Sequence, residues 1–239
     1  SATTVSPENL KSVNGYLELE GLVRRVVPYA ELVAGEMQVN IPRTRQLLFE
    51  VFRTSSMLDP RVVKDENTSG LMTNYAHSHL MLAVAYQRQG MLDDAIAVLK
   101  PALKYDLDSS QKALLFLNLS RFALLNRNLE EAAIAAESAR IYGGNDPRLI
   151  RDVSLQSGYT RQAAGDAAGA ESSYLRGMAA DPDNGLWVEL LYRLYVDQMR
   201  DTGKARQLLV MWLQRHPTDA GARQLLDALS GSGPTGPGS

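Results

Sequence analysis

An alanine that recurs at intervals of 37, 38 and 35 residues restricts the fold of this chain more than any other feature. A small residue at the head of a helix lets that helix cross a neighbour closely. A repeated helix pair buries its apolar face only against neighbouring repeats. The repeat therefore predicts an all-α solenoid of helix pairs, with the markers Ala95, Ala132, Ala170 and Ala205.

The clearest repeat spans residues 75–107, and it resembles the tetratricopeptide repeat. The residues that carry the resemblance are Leu82, Ala83 and Tyr86 in a first helix, Gly90 at the turn, and Ala95, Leu99 and Ala102 in a second helix. Three divergent repeats follow at 114–142, 151–182 and 186–217, and the second of the four repeats has no turn glycine. The resemblance implies a right-handed solenoid with a concave groove.

Residues 1–72 do not fit the repeat and are predicted to cap the solenoid. Partial alternation of apolar and polar residues indicates an extended segment or hairpin around Gly21. A helix is predicted from Pro42 to Arg53, with four apolar residues facing inward: Leu47, Leu48, Val51 and Phe52. Repeats and a terminal helix occupy residues 73–229. The Gly, Ser and Pro-rich segment 230–239 is expected to be a flexible tail.

Charge and composition exclude several classes of function. Lys and Arg number 25 against 27 Asp and Glu, so no strong positive field would attract nucleic acid. The chain has no cysteine, and no apolar run is long enough to insert into a membrane. His77 and His79 are two residues apart on different helix faces, so no metal site is predicted. Acidic pairs such as Asp65–Glu66 stand where carboxylates cap helices, so no catalytic residue and no cofactor are predicted.

A second resemblance lies outside the repeats and covers roughly residues 15–107. Its motifs occur in order: Leu17 to Pro28, a helix containing Phe49 and Phe52–Arg53, Asp59–Pro60, Asp65–Glu66–Asn67 and Asn74–Tyr75. Together they resemble the soluble C-terminal part of a bacterial family of multi-spanning membrane proteins that are similar to protein O-mannosyltransferases. The resemblance implies a parent glycosyltransferase that moves a sugar from a polyprenyl phosphate to a protein hydroxyl. Its catalytic residues would lie in the membrane part, so none is assigned to this chain.

The groove of a tetratricopeptide solenoid is lined by the first helix of each repeat, which predicts the residues that would contact a protein or peptide. Leu117, Leu155 and Leu190 fit either this groove or the core. The motif lacks the Lys and Asn set with which some members of the fold clamp a terminal carboxylate. The predicted groove residues are His77, Leu80, Val84, Gln87, Arg121, Leu124, Tyr159, Gln162, Trp187, Leu194 and Asp197.

Two functions remain compatible with the sequence. One is a non-catalytic, extracytoplasmic (periplasmic) accessory domain of a membrane glycosyltransferase, tethered through a region upstream of Ser1 and holding acceptor protein. The alternative is a free-standing adaptor, cytoplasmic in that case, that scaffolds a protein complex. A soluble hydrolase would need a cluster of acid, base or nucleophile that the sequence does not offer.

Overall fold

A computed structural model of the protein describes residues 16–27, 38–59 and 61–231. The first elements are the strands β1 (Leu17–Glu20), β2 (Val23–Val26) and β3 (Gln38–Val39). Short helices α1 (Ile41–Gln46) and α2 (Ser55–Leu58) follow, and a π-helical turn, Leu47–Val51, extends α1.

The remaining elements are helices that follow one another along the chain. They are α3 (Glu66–Arg88), α4 (Leu92–Leu99, continued by a 3-10 turn Lys100–Lys104), α5 (Ser109–Leu125), α6 (Leu129–Gly143), α7 (Pro147–Ala163), α8 (Ala167–Ala180), α9 (Gly185–Arg193, continued by a π-helical turn Leu194–Gln198), α10 (Thr202–Arg215) and α11 (Ala220–Gly231). The helices pair as α3 with α4, α5 with α6, α7 with α8, and α9 with α10. The all-α, helix-pair architecture predicted from the repeat is confirmed.

The chain divides between Gly143 and Gly144 into two compact units. The first contains the cap and the pairs α3/α4 and α5/α6, and its core joins Leu48 of the cap to residues such as Leu82 and Phe122. The second contains α7 to α11, and its core is built around Tyr174 and Trp187. Within each unit successive helix pairs pack on one another, so each pair covers the apolar face of the next.

The marker alanines are the points of close helix contact. Ala95, Ala132, Ala170 and Ala205 are all completely buried. In the second unit two glycines, Gly158 and Gly177, have the same role. A Cβ atom at Gly158 would lie 2.0 Å from the Tyr174 ring. These close crossings explain why small residues recur along the chain.

The turns between paired helices repeat with the same intervals as the alanines, 37, 38 and 35 residues. Each contains one residue with positive φ: Gly90 at 77°, Arg127 at 59°, Gly165 at 79° and Arg200 at 54°. The second repeat therefore makes the expected turn although its glycine is missing, because an arginine adopts the left-handed conformation instead. That conformation costs a residue with a Cβ about 1–2 kcal/mol.

The cap is a three-stranded sheet packed against α1 and α3. β1 pairs antiparallel with β2 through a two-residue turn that contains Gly21, so of the two predicted alternatives, an extended segment or a hairpin, the hairpin is the one that forms. The parallel pairing of β1 with β3 was not predicted. Thr44 of α1 is fully buried and joins the turn to the helix, because its hydroxyl accepts from Gly21 N and donates to Leu19 O.

The helix predicted from Pro42 to Arg53 is shorter than expected, since it ends at Val51. Leu48 is buried as predicted, and Leu47 and Phe52 are half-buried. Val51 is exposed, so the expectation that it faces inward is wrong. The π-helical turn shifts residues after Leu47 around the axis relative to an α-helix, which carries Val51 off the buried face.

None of the helices in the described ranges is both long and apolar enough to cross a membrane. The predicted terminal helix is confirmed as α11, and Asp219 caps it by accepting a hydrogen bond from Ala222 N. Most of the expected tail, residues 232–239, lies outside the described residues. Pro28 and Pro60 of the cap motifs lie outside them as well.

Candidate protein-binding cleft

The first unit contains a half-open cleft between its two first helices, α3 and α5. Its volume is about 110 Å³, and its lining is mainly apolar. An engineered apolar cavity of about 150 Å³ holds benzene, so this cleft has room for a single aliphatic side chain. The lining residues are Thr73, Ala76, His77, Leu80, Leu107, Gln111, Leu114 and Leu115.

Two of the predicted groove residues border this cleft. His77 is exposed at its edge, and Leu80 is almost fully buried in its floor. Partial burial lowers the pKa of His77, and the nearby Arg24 guanidinium lowers it further. The imidazole is therefore mainly neutral at pH 7, with β2 supplying a positive charge beside it.

A hydrogen bond between the two helices fixes one end of the cleft. The Gln111 side chain donates from Nε2 to Thr73 Oγ1 at 3.1 Å, while its Oε1 accepts from Asp108 N. The Asp108 side chain in turn accepts from Gln111 N, which completes a capping box at the start of α5. The walls are therefore held together by polar contacts, and the apolar floor stays open.

The cleft also contains residues that were not predicted from the sequence. Leu114 is 42% exposed and stands on the wall opposite His77. Single exposed leucines are common on protein surfaces, but this one borders a concave apolar surface. Helical spacing could have identified both Thr73 and Leu114. Thr73 lies one turn before His77 on the same face of α3, and Leu114 lies two turns before Arg121 on the same face of α5.

The other predicted residues of the first unit continue along the same helices. Val84 and Gln87 on α3 are half-buried, as is Leu124 on α5, while Arg121 is exposed. Val84 and Arg121 lie two turns beyond His77 and Leu114, respectively, and so continue the faces that line the cleft. These residues are available to a partner that extends past the cleft.

The second unit provides fewer accessible residues than expected. Trp187 and Leu194 are completely buried, so neither can touch a partner, and the prediction that they line a groove is corrected. Both belong to the α9 segment, which packs against α8 and α10. Leu190 is likewise buried, so it belongs to the core.

Three predicted residues of the second unit remain at least partly accessible. Tyr159 is exposed, and its ring meets the Tyr174 ring edge-on at 6.2 Å. Gln162 accepts a hydrogen bond of 2.8 Å from the Tyr174 hydroxyl, which ties its side chain to α8. Asp197 is exposed. Tyr159 and Asp197 are therefore the predicted groove residues of this unit that a partner can reach most easily.

The remaining polar candidates have internal partners. His79 is buried and donates from Nδ1 to Val98 O at 2.7 Å, and burial lowers its pKa. Asp65 caps α3 by accepting from Thr68 N, as the sequence indicated. Within the described ranges, no group of three or more His, Asp or Glu side chains could hold a metal ion.

No protein-family model matches the sequence, and no curated protein matches it. Among solved structures it is similar to the MamA protein, at 16% identity over 65% of this chain and 88% of that chain, with a TM-score of 0.48. It is also similar to TTC0263, a thermophilic TPR protein in Thermus thermophilus, at 18% identity over 65% and 98% with a TM-score of 0.29. The match to the APC/C hetero-tetramer Cut9–Hcn1 has 13% identity over 80% and 39%, with a TM-score of 0.31. These similarities do not indicate a function for the cleft.

Proposed function

We propose that the protein is a non-catalytic interaction module that binds a peptide segment of a partner protein between α3 and α5. The observation that carries the proposal is the half-open apolar cleft, which has the exposed Leu114 on one wall and the exposed His77 on the other. A partner side chain in the cleft would cover Leu114 and exclude water from the floor. The hydrophobic gain from such burial is the usual source of affinity for an anchor residue.

The rigidity of the walls also supports this proposal. The Gln111–Thr73 hydrogen bond and the capping box hold α3 and α5 in place without a ligand. A preformed site loses less conformational entropy on binding than a flexible one. The exposed imidazole of His77 at the rim can orient a peptide backbone.

The test is a selection of peptides on the folded protein followed by a comparison of two charge-introducing variants. Random 12-residue peptides displayed on phage are selected on the wild-type chain, and their affinities are measured by fluorescence polarisation. Leu114→Glu places a charge in the cleft. Ile134→Glu is the matched control, because Ile134 is a 62% exposed residue on α6 and does not line this cleft.

We expect Leu114→Glu to weaken the selected peptides about tenfold or more and Ile134→Glu to leave them unchanged. Circular dichroism must first show that both variants have the wild-type helix content. Wild-type affinity in a folded Leu114→Glu protein would contradict the assignment of the site.

We further propose that this module is the extracytoplasmic accessory domain of a membrane glycosyltransferase similar to protein O-mannosyltransferases, and that the bound segment belongs to an acceptor protein. The support is the order of short motifs from Leu17 to Tyr75 described above. In such a protein the domain would be periplasmic and tethered through the membrane part. Catalysis would belong to that part.

Fractionation distinguishes this proposal from a free-standing adaptor. An antibody raised against the chain is used to locate the native polypeptide in membrane and soluble fractions and to measure its mass. An integral-membrane band well above 26.2 kDa is the expected result. A soluble band near 26.2 kDa would exclude the glycosyltransferase context and leave an adaptor that uses the same cleft.

A further inference from the structure

The charges of the first unit are distributed unequally between first and second helices. Beyond Glu66 in its first turn, α3 has no acidic residue, and α5 has none at all. The basic residues of these two helices are Arg88, Lys112 and Arg121. The second helices are richer in acidic residues: α4 contains two aspartates, with Lys100 and Lys104 in the turn that continues it, and α6 contains three glutamates and one arginine.

Two basic side chains lie near the cleft: the half-buried Arg24 of β2, which is beside His77 and already takes part in another interaction, and Arg121 of α5. Arg121 is exposed and follows Leu114 by seven residues on α5, so the two side chains lie on nearly the same face. Among the described residues, no carboxylate forms an ion pair with Arg121. Its charge is therefore available to an anionic group that runs along the helix from the cleft.

The surface of α5 between Leu114 and Arg121 leaves room for such a ligand. Leu117 is half-buried, and the Asn118 side chain bends back to donate to Leu114 O at 2.8 Å. On α3, Val84 is half-buried two turns beyond His77. The path from the cleft to Arg121 is thus short, and part of it is apolar.

Two carboxylates stand at the other end of the cleft. The exposed Asp106 and Asp108 flank Leu107, which lines the cleft. A carboxylate on the ligand would be repelled at that end and attracted toward Arg121. Charge complementarity therefore favours an acidic residue on the Arg121 side of the anchor over one on the Asp106 side.

Helix and strand dimensions predict how many residues separate the anchor residue of the ligand from its acidic residue. Seven residues of α-helix span about 10 Å. An extended peptide covers about 3.3 Å per residue, so three residues cover the same distance. We infer that the partner is an extended segment with an aliphatic residue in the cleft and an Asp or Glu three positions away, paired with Arg121. This inference rests on the proposed peptide-binding function.

The experiment uses a set of isomeric peptides and the full chain labelled with ¹⁵N. Each peptide has nine residues: one Leu at the centre, one Asp, and Ser or Gly at the remaining positions. The peptides differ in the position of the Asp, which is placed in turn at each position except the centre. Binding is followed by the amide shifts of α3 and α5, which detect weak complexes. Arg121→Gln and Arg121→Lys are the matched variants, since both substitutions are at an exposed position.

We expect a peptide with Asp three residues from Leu, on one side only, to bind about threefold more tightly than the isomer with adjacent Asp, as for an exposed ion pair. Arg121→Gln should remove this preference, and Arg121→Lys should retain part of it. Equal affinity of all isomers, or a preference that survives Arg121→Gln, would overturn the spacing rule while leaving the cleft in place. Shifts that are unaffected by Leu114→Glu would instead overturn the proposed function.

Discussion

The contact between Gly177 of α8 and Trp187 of α9 makes a quantitative prediction about the packing of the second unit. A Cβ atom added at Gly177 would lie 2.3 Å from the Trp187 ring, with two more ring atoms within 2.6 Å. The indole is completely buried, so it has no solvent space into which to move. Gly177→Ala should therefore force the two helices apart or drive the indole from its rotamer.

Two opposing effects determine the magnitude. Overpacking of a tight core costs about 1–3 kcal/mol, and a contact this short belongs at the upper end. Replacing glycine by alanine inside a helix gains about 1 kcal/mol through helix propensity. The net loss in free energy of unfolding is therefore about 2 kcal/mol.

Urea denaturation followed by tryptophan fluorescence is a direct assay, because the two tryptophans, Trp187 and Trp212, both belong to the second unit. A loss of about 2 kcal/mol corresponds to a fall of about 1 M in the urea midpoint. Gly185→Ala is the control, since a Cβ there would meet only the Trp212 ring, at 3.8 Å. Equal midpoints for Gly177→Ala and Gly185→Ala would refute the reasoning.

Three further perturbations test the local structure. Arg127→Gly should raise the free energy of unfolding by about 0.5–1 kcal/mol, because relief of the positive φ exceeds the entropy cost of glycine; an unchanged urea midpoint by circular dichroism would contradict this. Asp108→Ala should cost about 1 kcal/mol by removing the capping box with Gln111, whereas Asp108→Asn should cost less in the same titration. Burial holds the pKa of the His79 imidazole in the folded state below its unfolded value of about 6.5. Just below a pH of about 6.5 the unfolded state therefore binds a proton at His79, whereas the folded state does not. Stability should therefore fall as the pH is lowered from about 7.5 to about 5, and His79→Asn should show a smaller fall; the same pH dependence in both proteins would exclude His79 as a cause.

Much of the fold could be predicted because the repeated small residues mark the points where helices pack closely. Ala132 and Ala170 identify helix crossings, since only a small residue fits there, and both are completely buried. The turn at Arg127 could not be predicted, because arginine has no preference for positive φ and adopts it here only because the paired helices require it. The strand β3 was missed since two residues, Gln38 and Val39, give no measurable alternation.

The site was predicted less completely than the fold. The sequence placed the groove on the first helices, but it could not show how each helix is rotated about its own axis. Trp187 and Leu194 were assigned to the groove because apolar residues suit both a core and a binding surface. Leu114 was missed for the same reason, since a leucine in a helix gives no sign of its exposure. Whether a helical residue is buried depends on the helices that pack on either side, and the sequence around that residue does not show where those helices lie.

The central claim is that a partner peptide lies between α3 and α5. The most direct test is a spectrum of the protein with ¹³C-labelled leucine methyl groups, recorded with and without a peptide selected on the wild-type chain. We predict that the methyl signals of Leu114 and Leu80 shift on binding, while those of Leu191 and Leu209 in the core of the second unit do not. Unchanged Leu114 and Leu80 signals in a saturated complex would contradict the claim.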